Sequence, residues 1–416
     1  MRLVLLTGKG GVGKTTMAAA TAAAVAARGR KVLLVSTDPM HSLADALDAP
    51  LGPEPVEVEA GLCAMQVDTQ RSFEQHWEVV RAYLVRMLGR GGVDSVAAEE
   101  LTVLPGAQEV LALLAVRDQA ADGRWDAVVV DCAPTAQTLR LLALPTALHW
   151  YLERLLPRHR RAVRGLGPLL GGAALPEDAV FDAVSRLHAE LLGVQAMLAD
   201  PATTVRLVLT PESVVVAEAR RTATALALYG LPLDSVLANR IIPAGGRDAW
   251  RTAWARTQAV QLEQIEQSFP DLPIRRAAYG RAEPVGPAAL TGLGIDLYAG
   301  ADPLAVPAGP PPIRVARCPD QHGERFELTV ALPHARREEL ELARSGDELV
   351  LTVDGHRRLL ALPAVLRHCQ VERADLRDGC LVVAFRPDQA LWPAAFAAPT
   401  TASTTAAAGP TTAAPR

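Results

Sequence analysis

A short glycine-rich segment near the start of the chain has the residues needed to hold a phosphate group. It reads Gly-Lys-Gly-Gly-Val-Gly-Lys-Thr-Thr, follows the apolar run 3–6 and precedes an alanine-rich stretch with a helical composition. Glycines let the backbone turn tightly and direct several N–H groups at one anion, and a helix N-terminus favours the same charge. The predicted phosphate-binding residues are Gly8, Lys9, Gly10, Gly11, Val12, Gly13, Lys14, Thr15 and Thr16.

Side chains of this loop are predicted to act directly on a nucleotide. Lys14 has the position from which a lysine reaches the β- and γ-phosphates, and the hydroxyl of Thr15 can ligate Mg²⁺. Lys9 is a second lysine, placed before the paired glycines. We therefore predict that Lys14 is catalytic.

Acidic residues follow two of the predicted strands. Asp38 comes just after the run 31–36, and Asp131 ends the run 127–131. Ligands bind at the carboxyl ends of the strands in an open α/β sheet, so both carboxylates are expected beside the phosphate loop. We predict that Asp38 positions or deprotonates the water that attacks the γ-phosphorus, and that Asp38, Asp131 and Thr15 hold Mg²⁺. The alternative for Asp38 is a turn cap, because Asp-Pro is common in turns.

Two further segments are predicted to contact the nucleotide. Pro134 and Thr135 follow Asp131 in a segment that can sense the γ-phosphate as a switch. Asn239 ends another predicted strand, and its amide can both donate to and accept from adenine; the alternative is that it only caps a turn. No Asn-Lys-x-Asp or Thr-Lys-x-Asp pattern for guanine follows this strand. The predicted cofactors are therefore ATP and Mg²⁺.

The overall composition restricts the class of protein. A chain of 416 residues is too long for one ordinary core, and a net charge of −4 argues against a nucleic-acid surface. The five cysteines form no Cys-x-x-Cys pair, which indicates neither a disulfide framework nor a zinc site. No run approaches the ~18–20 apolar residues of a membrane span, and the charged phosphate loop is incompatible with an export signal. We expect a soluble cytoplasmic protein without a stable membrane anchor.

The apolar runs of the first 303 residues predict an α/β domain. They are short, almost continuously apolar and separated by helical stretches, which is typical of parallel strands buried on both faces. The runs are 3–6, 31–36, 127–131, 205–210 and 235–239. We predict a doubly wound, mostly parallel sheet of the P-loop NTPase type. Helical insertions are expected at about 72–119 and 145–200, the second with a basic, proline-broken loop at 157–176.

The composition changes after residue 303. Residues 304–312 are rich in proline and predict a stiff linker. The next segment, 313–387, alternates apolar and polar residues and predicts a small all-β sandwich. Its predicted strands are 325–332, 348–353, 358–362 and 381–385. Residues 388–416 are mostly Ala, Thr, Ser and Pro and predict a disordered tail.

Several of these motifs, taken in order, resemble the ArsA family, which comprises arsenite-pump ATPases and the ATPases that target tail-anchored proteins. The resemblance covers roughly residues 1–300 and implies that Lys9 is catalytic, because it would reach the phosphates of the partner subunit in a nucleotide-bound homodimer. It also implies that Asp38 is the switch I residue that activates water and that 131–138 are switch II. The matching segments are 9–16, 36–43, 105–109, 131–142 and 239–243.

The chain also departs from the family pattern. Ala136 and Gln137 stand where switch II usually has Gly-His. The Cys-x-x-Cys that commonly holds zinc in the targeting ATPases is missing, as are the clustered cysteines and the second ATPase half of the pump ATPases. A metalloid role is therefore disfavoured.

The C-terminal unit resembles an Hsp20-like (α-crystallin) domain. The resemblance depends on Leu332-Pro333, on the strand 348–353 and on 374–383, in which Gly379 makes the turn before the last strand. An unrelated β-sandwich is the alternative.

Together these resemblances imply an enzyme that hydrolyses ATP to ADP and phosphate and thereby opens and closes a homodimer. The helical insertions would form a groove for an apolar protein client, such as a membrane-protein segment, with the Hsp20-like domain assisting. One alternative is a holdase chaperone that uses the nucleotide only as a switch. Another is a partitioning or division-site ATPase, although no basic amphipathic stretch follows Pro393.

Overall fold

In a computed structural model of the protein, the described part of residues 1–300 is built around one large sheet. The structure describes residues 1–38, 42–67, 107–132, 178–245, 247–306, 309–321, 323–388, 390 and 392. The strands of this sheet are β1 (Arg2–Thr7), β2 (Val32–Ser36), β3 (Val56–Glu59), β4 (Leu62–Gln66), β5 (Ala127–Asp131), β6 (Thr203–Leu209), β7 (Leu233–Ile241) and β8 (Ile274–Ala278).

The order of the strands is β3-β4-β2-β5-β1-β6-β7-β8. All neighbours pair in parallel except β3 and β4, so β3 is an antiparallel edge strand. The prediction of a mostly parallel sheet is confirmed. Strands β3, β4 and β8 were not predicted. In β3 and β8 most side chains lie at least partly in solvent, so these strands lack the continuous apolar run that marks a central parallel strand.

Helices cover both faces of the sheet. Alternate residues of the central strands face opposite sides, and each side is a separate apolar core. Val4 and Leu6 pack in the first core, while Leu3 and Leu5 pack in the second. The helices are α1 (Lys14–Ala26), α2 (Ser42–Leu47), α3 (Ala107–Ala121), α4 (Asp178–Ala199), α5 (Ser213–Leu228), α6 (Ala249–Ser268) and α7 (Pro287–Tyr298).

The predicted helical insertions fall largely outside the described residues. Of the stretch 72–119 the structure describes the part that begins α3, and of 145–200 it describes the part from residue 178 onward, which forms α4. The loop 157–176 and the rest of both insertions lie outside the described residues. In the part of the chain that is described, no helix is both long and apolar enough to cross a membrane.

The C-terminal unit is an antiparallel β-sandwich, as predicted. One sheet has the order β14-β15-β10-β9 and the other the order β11-β12-β13. Three of its strands were not predicted; β9 and β14 are largely exposed and β11 partly so, without a clear apolar alternation. Its elements are β9 (Ile313–Arg317), β10 (Phe326–Ala331), β11 (Leu340–Ser345), β12 (Glu348–Val353), β13 (His356–Ala361), α8 (Ala364–Arg367), β14 (Cys369–Arg377) and β15 (Cys380–Pro387).

The sandwich is docked on the C-terminal half of α5. Leu228, the last residue of that helix, is fully buried among the apolar side chains of the sandwich. The backbone oxygen of Leu228 accepts a hydrogen bond from Arg358, and Thr224 donates its hydroxyl proton to the carbonyl of Pro333. Beyond β15, the ring of Trp392 packs against the sandwich, 5.8 Å from that of Phe326.

Candidate functional site

The glycine-rich segment after β1 lies directly against the ends of β6 and β7. A Cβ atom on Gly8 would overlap with the carbonyl oxygen of Val208, which belongs to β6. Gly13 has a φ of 91°, in the left-handed region, and a Cβ there would overlap with the side-chain amide of Asn239 on β7. Both positions require glycine because the loop backbone and the strand ends are in close contact.

The loop leads straight into α1, which begins at Lys14 with Gly13 as its N-cap. Gly13 has no side chain to cap the helix, so the first N–H groups of α1 are available to an anion. Lys14 is mostly buried, and its Nζ donates a hydrogen bond to the backbone oxygen of Lys9 at 3.3 Å. This bond folds the lysine over the loop.

Asp131 is the most unusual polar residue of the site. Its side chain is at the end of β5, between β1 and β2, with 1% of the residue exposed, and neither carboxylate oxygen has a hydrogen-bond partner within ordinary distance. Burial raises the pKa of Asp131 to about 6, and the charge of Asp38 adds to this rise, while the nearby hydroxyls of Thr15 and Ser36 and the charge of Lys14 lower it. These hydroxyls do not reach regular hydrogen-bond geometry, and a buried carboxylate without a regular hydrogen bond is costly unless another group neutralises it.

The short segment that follows β2 brings Asp38 close to Asp131. The N–H and the hydroxyl of Thr37 both donate to the backbone oxygen of Asp131, at 3.0 and 3.2 Å, and the N–H of Asp38 donates to the hydroxyl of Ser36 at 3.3 Å. These bonds tie the ends of β2 and β5 together. The two predicted acidic residues are therefore brought to the same side of the phosphate loop.

Thr15 has a hydroxyl neighbour at the start of α2. Its Oγ1 lies 3.1 Å from the Oγ of Ser42. Neither Ser36 nor Ser42 was among the predicted site residues. Both lie in the segment 36–43 that resembles the ArsA family, and hydroxyl groups beside a predicted magnesium ligand were the signal that could have identified them.

Asn239 already has two backbone partners. Its Nδ2 donates to the carbonyl of Val12 at 2.8 Å, and its Oδ1 accepts from the N–H of Arg240 at 2.8 Å. The amide therefore fastens the phosphate loop to β7. The contact with adenine stays a prediction, and one N–H of the amide is left for it after the bond to Val12.

Lys9 does not point at the phosphate site of its own chain. Its Nζ lies 3.6 Å from a carboxylate oxygen of Glu218 on α5, and both side chains are partly exposed. Glu218 was not predicted, because only the tertiary structure brings α5 next to the loop. The predicted site residues Pro134 and Thr135 lie outside the described residues.

The fold and the site define a class of protein. A phosphate loop between a strand and a helix, at the carboxyl edge of a parallel sheet and next to a strand that ends in aspartate, is the arrangement of a P-loop nucleotide-binding ATPase.

Comparison with known proteins identifies the family within this class. A family model described as anion-transporting ATPase matches residues 1–299, and a second model, for the HSP20-like domain found in ArsA, matches residues 323–385. The chain belongs to the ArsA family of ATPases and carries the family's HSP20-like domain. This confirms both resemblances seen in the sequence.

Relatives include proteins that match nearly the whole chain. A putative arsenical pump-driving ATPase of Chlorobaculum tepidum is 34% identical over 92% of this chain and 96% of the relative. An uncharacterized protein of Streptomyces coelicolor is 38% identical over 94% of this chain and 99% of the relative. The ATPase GET3 of Chaetomium globosum is 30% identical over 66% of this chain and 83% of the relative.

The residues present fit a magnesium ion. The unpartnered carboxylate of Asp131 and the hydroxyl of Thr15 are oxygen ligands of the kind that Mg²⁺ prefers, and a cation would offset the cost of burying the carboxylate. Within the described residues no group of three or more His, Cys, Asp or Glu side chains could hold a metal ion by itself. A magnesium ion here would therefore depend on nucleotide phosphates and water for its other ligands.

The raised pKa of Asp131 leads to a prediction for the protein without nucleotide. The folded state keeps the carboxyl proton up to a pKa of about 6, against an ordinary value of 3.8, so stability should fall as pH rises through this window. Above this pH window the free energy of unfolding should be lower by about 3 kcal/mol, since each pKa unit corresponds to about 1.4 kcal/mol. The nucleotide-free Asp131→Asn variant should exceed the wild type in stability at about pH 8 and match it near pH 4 in urea unfolding.

Asp271→Asn provides the control, because Asp271 is exposed on the same domain. It should change stability by less than about 0.5 kcal/mol at either pH. Added Mg²⁺ and ATP should stabilise the wild type strongly and the Asp131→Asn variant weakly. A variant less stable than the wild type at both pH values would show that the carboxylate has stabilising partners in the folded protein.

Proposed function

We propose that this ATPase binds ATP with Mg²⁺ and uses hydrolysis to close and open a homodimer that holds an apolar protein client. The observation that carries the proposal is the buried, unpartnered carboxylate of Asp131 beside Thr15 and Lys14. A magnesium nucleotide supplies both the cation that the carboxylate lacks and the anion that the loop and the helix N-terminus attract. The negative carboxylate of the site therefore complements the metal ion, and the loop and helix N-terminus complement the negative phosphates.

Each residue of the site has a separate part in this proposal. Lys14 and the N–H groups of the loop bind the phosphates, and Thr15 and Asp131 hold the metal, with Asp38 also within its reach. Asp38 orients the attacking water, because the bonds of Thr37 to β5 bring it to the same edge. Phosphoryl transfer depends mainly on such alignment and on charge stabilisation.

The position of Lys9 supports its action in a second subunit. Lys14 already covers the phosphate loop, and a second ammonium on the same phosphates would repel it. Lys9 instead forms a partly exposed ion pair with Glu218, and such pairs contribute about 0–1 kcal/mol. Lys9 can thus exchange Glu218 for the phosphates of a partner subunit at little cost.

The client-binding part of the proposal comes from the family. One relative is the ATPase GET3, and the tail-anchored-protein targeting branch of the family provides the analogy for an apolar client in the cytoplasm. The sandwich adds exposed strand edges such as β9, of the kind that take up extended segments. Residues 1–303 would perform the chemistry, and the sandwich would contribute binding.

The role of Asp38 can be tested by Asp38→Asn. The variant should bind ATP and Mg²⁺ nearly as the wild type does, because Lys14, Thr15 and Asp131 remain. Its kcat should fall by about 10²-fold or more, the scale of losing a general base. Phosphate release gives kcat, and calorimetry gives the ATP affinity. Asp45→Asn, at an exposed position on α2, is the control; undiminished turnover in Asp38→Asn would assign Asp38 to the turn only.

The role of Lys9 in assembly can be tested by Lys9→Ala. The variant should bind ATP, since Lys14 remains, yet fail to form the ATP-dependent dimer and lose hydrolysis. Sedimentation velocity and phosphate release, each with and without ATP, measure both effects. Lys31→Ala replaces an exposed lysine outside the site and should behave as the wild type does. If Lys9→Ala dimerises and turns over normally, Lys9 acts only through its ion pair.

The proposal that residues 1–303 perform the chemistry and the sandwich contributes binding can be tested with a chain that ends at Ala305. Because removal of the sandwich would expose Leu228, the truncated chain should also carry Leu228→Ser to stay in solution. We expect ATP binding and hydrolysis to persist, while the capacity to keep an unfolded client from aggregating falls. The full-length Leu228→Ser variant separates the effect of the substitution from that of the truncation. A folded truncated protein that no longer binds ATP would place the sandwich in the catalytic unit.

Measured turnover also separates the proposal from the holdase alternative. A chaperone that uses the nucleotide only as a switch would bind ATP with negligible phosphate release, and Asp38→Asn would then leave its client binding and its nucleotide cycle unchanged. No observation in the described residues favours that alternative over hydrolysis.

A further inference from the structure

Strand β7 departs from regular pairing where it reaches the nucleotide site. Its parallel register with β8 shifts between Ala238 and Ile241, which marks a β-bulge. Within the bulge, Arg240 has a φ of 55°, a left-handed conformation that is uncommon for residues other than glycine. Such a conformation persists only where the surrounding structure holds it, and it often occurs at functional sites.

A buried glutamine on α6 holds this bulge. Gln258 is 5% exposed, and its Oε1 accepts a hydrogen bond from the N–H of Ile242 at 2.7 Å. Its Nε2 donates to the carbonyl of Arg240 at 3.1 Å. The side-chain amide thus binds both backbone groups that flank Ile241, as a neighbouring strand would, and both of its ends are satisfied.

The bulge in turn sets the position of Asn239. The N–H of Arg240 donates to the Oδ1 of Asn239, and the Nδ2 of Asn239 donates to the carbonyl of Val12, both at 2.8 Å. The amide of Asn239 also occupies the space beside Gly13. Hydrogen bonds therefore run without interruption from α6 through the bulge to the phosphate loop.

We propose that Gln258 is a positioning residue of the nucleotide site, which acts through Asn239 to hold the phosphate loop in its binding conformation. This role requires no contact between Gln258 and the nucleotide. Without its two bonds, the left-handed conformation of Arg240 loses its support, and the amide of Asn239 is no longer aimed at Val12. The role follows from the ATPase activity of the family and depends neither on a homodimer nor on a client.

Gln258→Met tests the proposal, because methionine fills a similar volume and makes neither bond. The Kd and the KM for ATP should rise about tenfold, while kcat at saturation stays within about threefold because Lys14 and Asp38 are unchanged. Gln258→Glu can still accept from Ile242 but cannot donate to Arg240, so its Kd should lie between those of the wild type and Gln258→Met. Calorimetry well below the unfolding temperature measures Kd for the folded protein, and phosphate release gives KM and kcat.

Two controls on the same helix separate positioning from stability. Leu262→Ala removes a buried apolar side chain of α6 and should lower the Tm without changing the Kd for ATP. Gln267→Met replaces an exposed glutamine and should change neither quantity. If Gln258→Met lowers the Tm as Leu262→Ala does but leaves the Kd unchanged, Gln258 serves stability alone and the proposal is wrong.

A double-variant cycle with Asn239→Ala tests the route. If Gln258 acts through Asn239, adding Gln258→Met to Asn239→Ala should worsen the Kd by no more than about twofold. If the effects of Gln258→Met and Asn239→Ala on the Kd instead multiply in the double variant, the two residues act independently and the proposal is wrong. The proposal is also wrong if Gln258→Met lowers kcat and leaves the Kd unchanged. When the Kd values are compared in the Lys9→Ala background, which is expected to bind ATP without dimerising, neither outcome bears on dimerisation or on client binding.

Discussion

The close contact between the phosphate loop and the ends of β6 and β7 is the constraint on which the site depends. Gly8 lies against the carbonyl of Val208, and Gly13 lies against the amide of Asn239, with no room for a Cβ atom at either position. This contact determines where α1 begins and therefore where Lys14 and Thr15 lie. The rest of the sheet keeps the strand ends in place, with two apolar cores packed on its opposite faces.

The electrostatics of the site follow from that arrangement. The loop and the helix N-terminus form a region that attracts anions, and the buried carboxylate of Asp131 a short distance away attracts a cation. Without a ligand the carboxylate is a cost to stability, because neither oxygen has a partner. A cation bound beside the carboxylate would remove this cost, and the free energy of binding would then stabilise the folded protein at the site itself.

Helix α5 connects the two halves of the protein. Glu218, toward its N-terminal end, pairs with Lys9, and its C-terminal end is covered by the sandwich through Leu228 and the bond from Arg358. A shift of this helix would therefore act on both the loop lysine and the sandwich. This arrangement is a physical route by which the phosphate loop and the sandwich can influence each other, since rigid helices carry displacement along their length.

The sequence by itself determined the parts whose signals are local. The glycine spacing identified the phosphate loop, the continuous apolar runs identified the central parallel strands, and the order of the motifs identified the family. Exposed strands such as β3 and β9 have no comparable apolar signal and were found only in the structure. Only the tertiary structure decided the ion pair of Lys9 with Glu218, the bond from Asn239 to Val12 and the two bonds of Gln258. Each of these contacts joins residues far apart in the chain, and no local pattern of residues encodes such a pairing.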